Sequence, residues 1–323
     1  MKPFTLTAPL DVPDALDQFR AGSAYLAGGT TLVDLMKLEV LTPGHVLDIS
    51  LLPMHGIRPE DGGVYIGALE RMSDVAEHEL ITAAYPVLSQ ALTASASPQL
   101  RDMATIGGNL LQRTRCGYFR DPAVACNKRV PGSGCPAIEG ANRMHAILGT
   151  SDACVATHPS DLAVALVALD ASVELIGDGG PRRVPLAGFY RLPGAEPHLE
   201  TDLRAGELVA GVAIPALPAA RRSVYVKVRD RQSYEFALTS AAVAVAVSDG
   251  VIAEARVAAG GVGTRPWRLP AVERALAGAP MRQEAFEAAV AHAADGARPL
   301  SQNGFKAALL RRTIIRALMT LAA

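Results

Sequence analysis

All four cysteines of this 323-residue chain fall between positions 116 and 154, and none lies elsewhere. Cys116, Cys126, Cys135 and Cys154 are separated by nine, eight and eighteen residues, in segments rich in Arg, Lys, Gly and Pro. Thiols confined to one poorly periodic window point to one shared partner. Thiolates bind iron and zinc strongly, so a soft metal centre is the first expectation. Four sulfurs meet the ligand count of a [4Fe-4S] cluster and equally that of a zinc site ligated by cysteines alone. The spacing is not the compact ferredoxin run and does not separate the two. Two disulfides or four free thiols are the remaining readings. Met1 to Pro9 has no continuous apolar stretch, and Asp11 and Asp14 follow, so the chain is expected to carry no targeting signal of its own and to fold in the cytoplasm. A reducing compartment disfavours disulfides. Export would then rest on a signal carried by a bound partner.

The length exceeds what one ordinary core can fill, and two or three folding units are expected. Hydrophobic residues make up 50% and charged residues 20%, a globular and rather apolar balance. The mean hydropathy of +0.20 suits a chain with some surface covered by partners, and equally a chain merely rich in Ala and Val. A net charge of −1 argues against nucleic-acid binding. No apolar run reaches the ~18 residues that a membrane span requires.

Helical spacing covers 11–20, and a short strand at Ala24–Ala27 leads through Gly28-Gly29-Thr30-Thr31 into a second helix with Leu32, Leu35, Met36 and Val40 on one side. Strands are read at 45–49 and 64–69, and a helix at 82–95. The segment 112–153 lacks periodicity and reads as an insertion, because a helix resumes at Ser160-Asp161, a pair with N-cap chemistry. Strands follow at 171–176 and 207–214, and Pro215 to Pro218 reads as a linker. Asp249-Gly250 between alternating apolar runs is the strongest hairpin signal in the chain. Helices at 270–277, 283–294 and 302–321 complete an α+β unit.

Two glycine loops carry the chemistry. Gly28-Gly29 between a strand and a helix lets a phosphate approach the backbone, with amides and Thr hydroxyls as donors. Thr105-Ile106-Gly107-Gly108-Asn109 could do the same. Neither is the Gly-x-Gly-x-x-Gly of a classical nicotinamide site, and a Gly-Gly-Thr turn alone is weak evidence.

Taken together, Ala27 to Thr31 with Met36-Lys37, Arg101 to Asn109, Pro159-Ser160-Asp161 and Tyr225 to Arg229 resemble the FAD-binding subunits of the molybdenum hydroxylases. That group includes xanthine dehydrogenase, aldehyde oxidoreductase and carbon monoxide dehydrogenase. The resemblance covers essentially the whole chain. It implies an α+β fold: a two-subdomain, vanillyl-alcohol-oxidase-like (PCMH-type) FAD-binding domain over 1–216, with subdomains of about 1–55 and 56–216, and an α+β flavoprotein C-terminal domain over 217–323. The cysteine-rich insert, about 112–156, resembles that of the FAD subunit of bacterial periplasmic aldehyde oxidoreductase, a heterotrimer, and a related insert occurs in 4-hydroxybenzoyl-CoA reductase.

By that resemblance FAD is held by Leu26, Ala27, Gly28, Gly29, Thr30, Thr31, Leu32, Thr105, Gly108, Asn109, Asp161 and Lys227. Thr105 would contact phosphate or ribose. Asp161 would cap its helix and accept from the flavin nucleotide, and Lys227 would place a positive charge by the flavin ring. A [4Fe-4S] cluster on Cys116, Cys126, Cys135 and Cys154 is implied, its charge offset by Arg115, Lys128 and Arg129. So are a large molybdenum-cofactor subunit, a small [2Fe-2S] subunit and an external electron acceptor. The activity implied is electron transfer within an aldehyde-oxidising complex, with no substrate-oxidising residue on this chain. The alternatives are a subunit of a hydroxybenzoyl-CoA reductase-type enzyme and a metal-stapled scaffold without redox turnover.

Overall fold

The computed structural model describes the whole chain, Met1–Ala323. Three sheets organise it. The first is parallel, with β1 (Thr5–Thr7), β2 (Ser23–Leu26) and β3 (His45–Asp48) in the order β1-β3-β2. Parallel strands need crossovers, and the helices Val12–Gln18 and Leu32–Lys37 supply them. The first starts where Asp11 accepts a bond from the Asp14 amide, 2.8 Å away. The second stops before Val40, because Glu39 turns into the left-handed region (φ 58°) and the Val40 and Leu41 amides both fold back onto the Leu35 carbonyl.

The second sheet is antiparallel, in the order β4-β5-β8-β6-β7: β4 (Ile57–Glu60), β5 (Gly63–Gly67), β6 (Ser172–Gly177), β7 (Gly180–Pro185) and β8 (Leu208–Ile214). Sequence patterning reveals the three inner strands and misses β4 and β7. Both are edge strands, both carry Pro, and neither needs the alternation that marks a half-buried strand. The helix expected over 82–95 is two helices, Glu79–Ala84 and Pro86–Ala94, because Tyr85 (φ −137°) breaks the run and Pro86 starts the next.

The third sheet, in the order β12-β11-β10-β9, contains β9 (Ser223–Val228), β10 (Thr239–Ser248), β11 (Val251–Gly260) and the short β12 (Trp267–Arg268). Asp249 (φ 52°) and Gly250 (φ 78°) turn the β10–β11 hairpin, the double left-handed geometry that a two-residue turn requires. The helices Pro270–Leu276, Gln283–Ala289 and Phe305–Ala322 cover this sheet around Val243, Val257, Leu310 and Ile314. No helix is long and apolar enough to cross a membrane.

The helix Asp161–Ala168 is buried along its whole length. It packs against the helix Pro86–Ala94, β10 and β11, so it joins the core of the second sheet to the third. The insert is not a loop hung on the first part of the chain. Ile147 and Leu148 are buried in the core of the third-sheet unit. The Ile147 amide donates to the Val262 carbonyl at 2.8 Å, and buried Lys306 donates to the carbonyls of Met144 (3.0 Å) and Gly261 (2.7 Å).

Candidate functional site

The loop after β2 presents a run of unpaired donors. The amides of Ala27, Gly28, Gly29, Thr30, Thr31 and Leu32 donate no hydrogen bond to any protein atom. Thr31 precedes the helix Leu32–Lys37 without capping it through its side chain. All six residues line one cavity of about 440 Å³. A row of free amides is a seat for anionic oxygens, since backbone donors left unpaired by a protein fold are satisfied by ligand or solvent. Gly28 is required by close approach: a Cβ there would stand 1.8 Å from the Met103 carbonyl oxygen. The first glycine loop therefore rests directly on the backbone that leads into the second.

The second loop differs from expectation. Four of its five amides are occupied: Ile106 donates to Glu70, Gly107 to Ala68, Asn109 to Thr105, and Gly108 to the Thr105 hydroxyl at 3.2 Å. Thr105 caps the short helix Ile106–Leu110, and Gly107 lies against Ala68, where a Cβ would approach the Ala68 methyl to 2.9 Å. This loop shapes the cavity and offers few donors of its own.

Thr30, Thr31 and Gly108 also line a second cavity of about 560 Å³, which reaches Asn109, Asp161 and Lys227. The two spaces form one cleft from the glycine loop to the base of the buried helix. Every expected cofactor residue except Leu26 lines this cleft. The Leu26 side chain packs behind Gly29 instead.

Ser160, not Asp161, caps the buried helix, its hydroxyl accepting from the Ala163 amide at 2.9 Å. Asp161 is thereby free to turn inward. Its carboxylate accepts from Lys227 Nζ (2.8 Å), the Tyr225 hydroxyl (2.6 Å) and the Ser95 hydroxyl (3.1 Å). Lys227 also donates to the Ala94 carbonyl at 3.1 Å, and its side chain is only 4% exposed. Lys227 is thus a cation already paired with a carboxylate. Burial, with the Asp161 charge beside it, pushes the Tyr225 hydroxyl well above the ordinary phenol range, so it stays a donor. The unpaired cation of the second cavity is Arg115, which has no carboxylate partner and donates to the Arg113 carbonyl at 2.8 Å. Burial, and then neighbouring Arg120, lower its pKa. Sequence reading assigns Arg115 to the cysteine window, because only the tertiary fold turns it toward the cleft.

Cys116, Cys126, Cys135 and Cys154 line one small, mostly apolar cavity. None is in a disulfide. No three His, Cys, Asp or Glu side chains converge closely enough to hold a single metal ion. Burial pushes the Cys116 thiol up to about 11 and raises Cys135 and Cys154, while backbone amides work against it: Phe119 and Tyr118 at Cys116, Val155, Ala137 and Ile138 at Cys135, and Ala156 at Cys154. Lys128 lowers Cys154 as well, and pairs with Glu200 at 2.7 Å. Arg129 instead staples the insert through the carbonyls of Tyr118 (3.0 Å) and Phe119 (2.7 Å).

The family described as FAD binding domain in molybdopterin dehydrogenase matches residues 2–217, and CO dehydrogenase flavoprotein C-terminal domain matches 224–322. The chain is 50% identical to the aldehyde oxidoreductase FAD-binding subunit PaoB of Escherichia coli, over 91% of this chain and 89% of that one. It is 30% identical to the glyceraldehyde dehydrogenase medium chain of Sulfolobus acidocaldarius, over 78% of this chain and 73% of that one. Among solved structures, a carbon monoxide dehydrogenase from Hydrogenophaga pseudoflava superposes with a TM-score of 0.76 at 27% identity, covering 98% of this chain and 96% of that one.

Proposed function

The chain belongs to the FAD-binding subunits of the molybdenum hydroxylase family, and from that premise we propose that it is the electron-transfer subunit of a molybdenum-dependent aldehyde oxidoreductase, carrying FAD and a [4Fe-4S] cluster. The observation that carries the flavin seat is the run of six unpaired amides at Ala27–Leu32 opening into a cleft that ends on the Asp161–Lys227 pair. Those amides and Thr30 and Thr31 would hold the pyrophosphate, and Thr105, Gly108 and Asn109 would form the facing wall. FAD when bound supplies reversible redox chemistry, and the protein sets its position and potential. Asp161 keeps its carboxylate fixed through three donors. Because it neutralises Lys227, Arg115 is the cation that would balance negative charge in the cleft. We take the domain limits to be 1–216 and 217–323, with a subdomain break near 55, a division that the grouping of strands into three sheets supports.

The cysteines fit a polynuclear core. Four sulfurs share one cavity, and amides directed at three of them suit thiolate ligands. Similarity to an aldehyde oxidoreductase subunit at 50% identity favours an aldehyde over an aromatic thioester as the substrate of the whole complex. The molybdenum cofactor and [2Fe-2S] clusters would lie on a large and a small partner subunit, with an external acceptor taking the electrons. Purification of the complex tests this reading. Flavin absorbance, iron and sulfide in equal amounts on this subunit, and aldehyde-dependent bleaching of the flavin are expected. Zinc in place of iron would overturn the cluster assignment, and a subunit that binds no FAD would overturn the whole reading.

A further inference from the structure

We propose that His145 is a positioning residue that donates a hydrogen bond to the sulfur of Cys116 and so raises the reduction potential of the cluster. The inference rests on the cluster reading above. His145 Nε2 stands 3.2 Å from Cys116 Sγ, and no other side chain donates to a cysteine sulfur here. Its second ring nitrogen, Nδ1, is buried and has no partner. That asymmetry assigns the tautomer. A proton on Nδ1 would bury an unpaired N–H and turn the Nε2 lone pair against a thiolate. A proton on Nε2 makes an N–H···S bond and leaves only a bare acceptor behind. His145 is therefore a donor whenever Cys116 is a metal ligand.

The backbone that carries the ring is held from both inside and outside the insert. The His145 amide donates to the Asn142 carbonyl at 3.0 Å, and its own carbonyl accepts from Asn303 at 3.2 Å. Lys306 pins the preceding carbonyl of Met144. Both Asn303 and Lys306 are fully buried, so the third-sheet unit anchors the backbone from which the imidazole reaches Cys116. An outer partner so fixed tunes the metal through its ligand. A donor on a ligand sulfur withdraws charge, which favours the reduced, more negative cluster. The same ring borders both the cysteine cavity and a cavity of about 470 Å³ that reaches Asp161 and Phe236. It thus stands between the cluster seat and the flavin cleft, where a change in potential shifts electron distribution between the two.

The test uses the intact complex with His145→Leu, which removes the donor, and His145→Gln, whose amide nitrogen reaches the same place. Iron and sulfide content and an EPR-monitored redox titration are measured for each. The expected result is a more negative midpoint potential in H145L at unchanged iron content, with H145Q returning close to the original value. An iron-replete H145L complex at the original potential overturns the proposal while leaving the cluster reading intact. Absence of iron from the unaltered complex overturns both. Should H145L lose its iron, H145Q decides: a retained cluster at the original potential supports the proposal, and loss there too, with a donor present, refutes it.

Discussion

Gly28→Ala isolates one physical cause. Gly28 does not have a positive φ, so an alanine there meets no backbone strain, and every consequence comes from contact. The new methyl would lie 1.8 Å from the Met103 carbonyl oxygen, 2.7 Å from its carbon and 3.1 Å from the Ala104 Cα. All three are backbone atoms, so no rotamer change gives relief, and the loops must part by more than about 1 Å to regain van der Waals distance. Overpacking of this kind costs about 1–3 kcal/mol. If the displacement falls on the donor loop, the loss appears as weaker flavin binding, roughly tenfold per 1.4 kcal/mol. G28A should therefore bind FAD about ten- to a hundredfold more weakly, and any part of the strain borne by the whole fold should lower Tm by a few degrees. Titrating the deflavinated protein with FAD, followed by flavin fluorescence, reads the first, and a thermal melt reads the second. Gly44→Ala, in open space with an ordinary φ, is the matched control and should change neither. A G28A protein with unaltered FAD affinity and unaltered Tm would refute the claim that the two loops interlock around the cofactor seat.

Lys227→Met strands the Asp161 carboxylate with only hydroxyl donors, and should destabilise the protein by about 3–5 kcal/mol in urea denaturation; adding Asp161→Asn should restore part of that loss, which a double-mutant cycle measures. Burial, with Arg143 nearby, pushes the Lys306 ammonium from 10.5 down to about 7. The unfolded chain then holds a proton that the folded chain lacks between about pH 7 and 10.5, so stability should rise with pH across that window, by at most about 5 kcal/mol. Two carbonyl acceptors reduce that figure, and Lys306→Met should flatten the slope in denaturation series run from pH 6 to 9, rough limits chosen to span the shifted pKa. With the Cys116 thiol pushed up to about 11, metal-free protein should react slowly with iodoacetamide at Cys116 near neutral pH, and peptide mapping should show labelling accelerate as alkalinity increases. Gly250→Ala meets nothing within 4 Å but keeps a left-handed φ of 78°, so its loss should be limited to about 1 kcal/mol of backbone strain, read from the urea midpoint.

Local chemistry was legible in the amino-acid string wherever one short segment decides the outcome. The Asp249-Gly250 hairpin, the helix start at Ser160-Asp161, the glycine turn after β2 and the aperiodic cysteine window each depend on neighbours in sequence, because φ preferences and helix-end hydrogen bonds act over a few residues. The edge strands β4 and β7 were not legible, since a strand with one solvent-facing edge tolerates Pro and needs no alternation. Long-range pairing was hidden for a different reason. Asp161 and Lys227 lie 66 positions apart and Asn303 lies 158 positions from His145. Nothing in either segment records the distance at which a buried charge finds its partner. The residue types of the site are written in the chain itself: small residues where a backbone must come close, four thiols in one segment, and a lysine on a strand. Which donors stay unpaired, that the lysine is neutralised, and that the C-terminal unit holds the insert all come from packing in three dimensions. Burial makes a hydrogen-bonding group dependent on whatever the fold brings beside it, and that neighbour is chosen by packing across the whole chain.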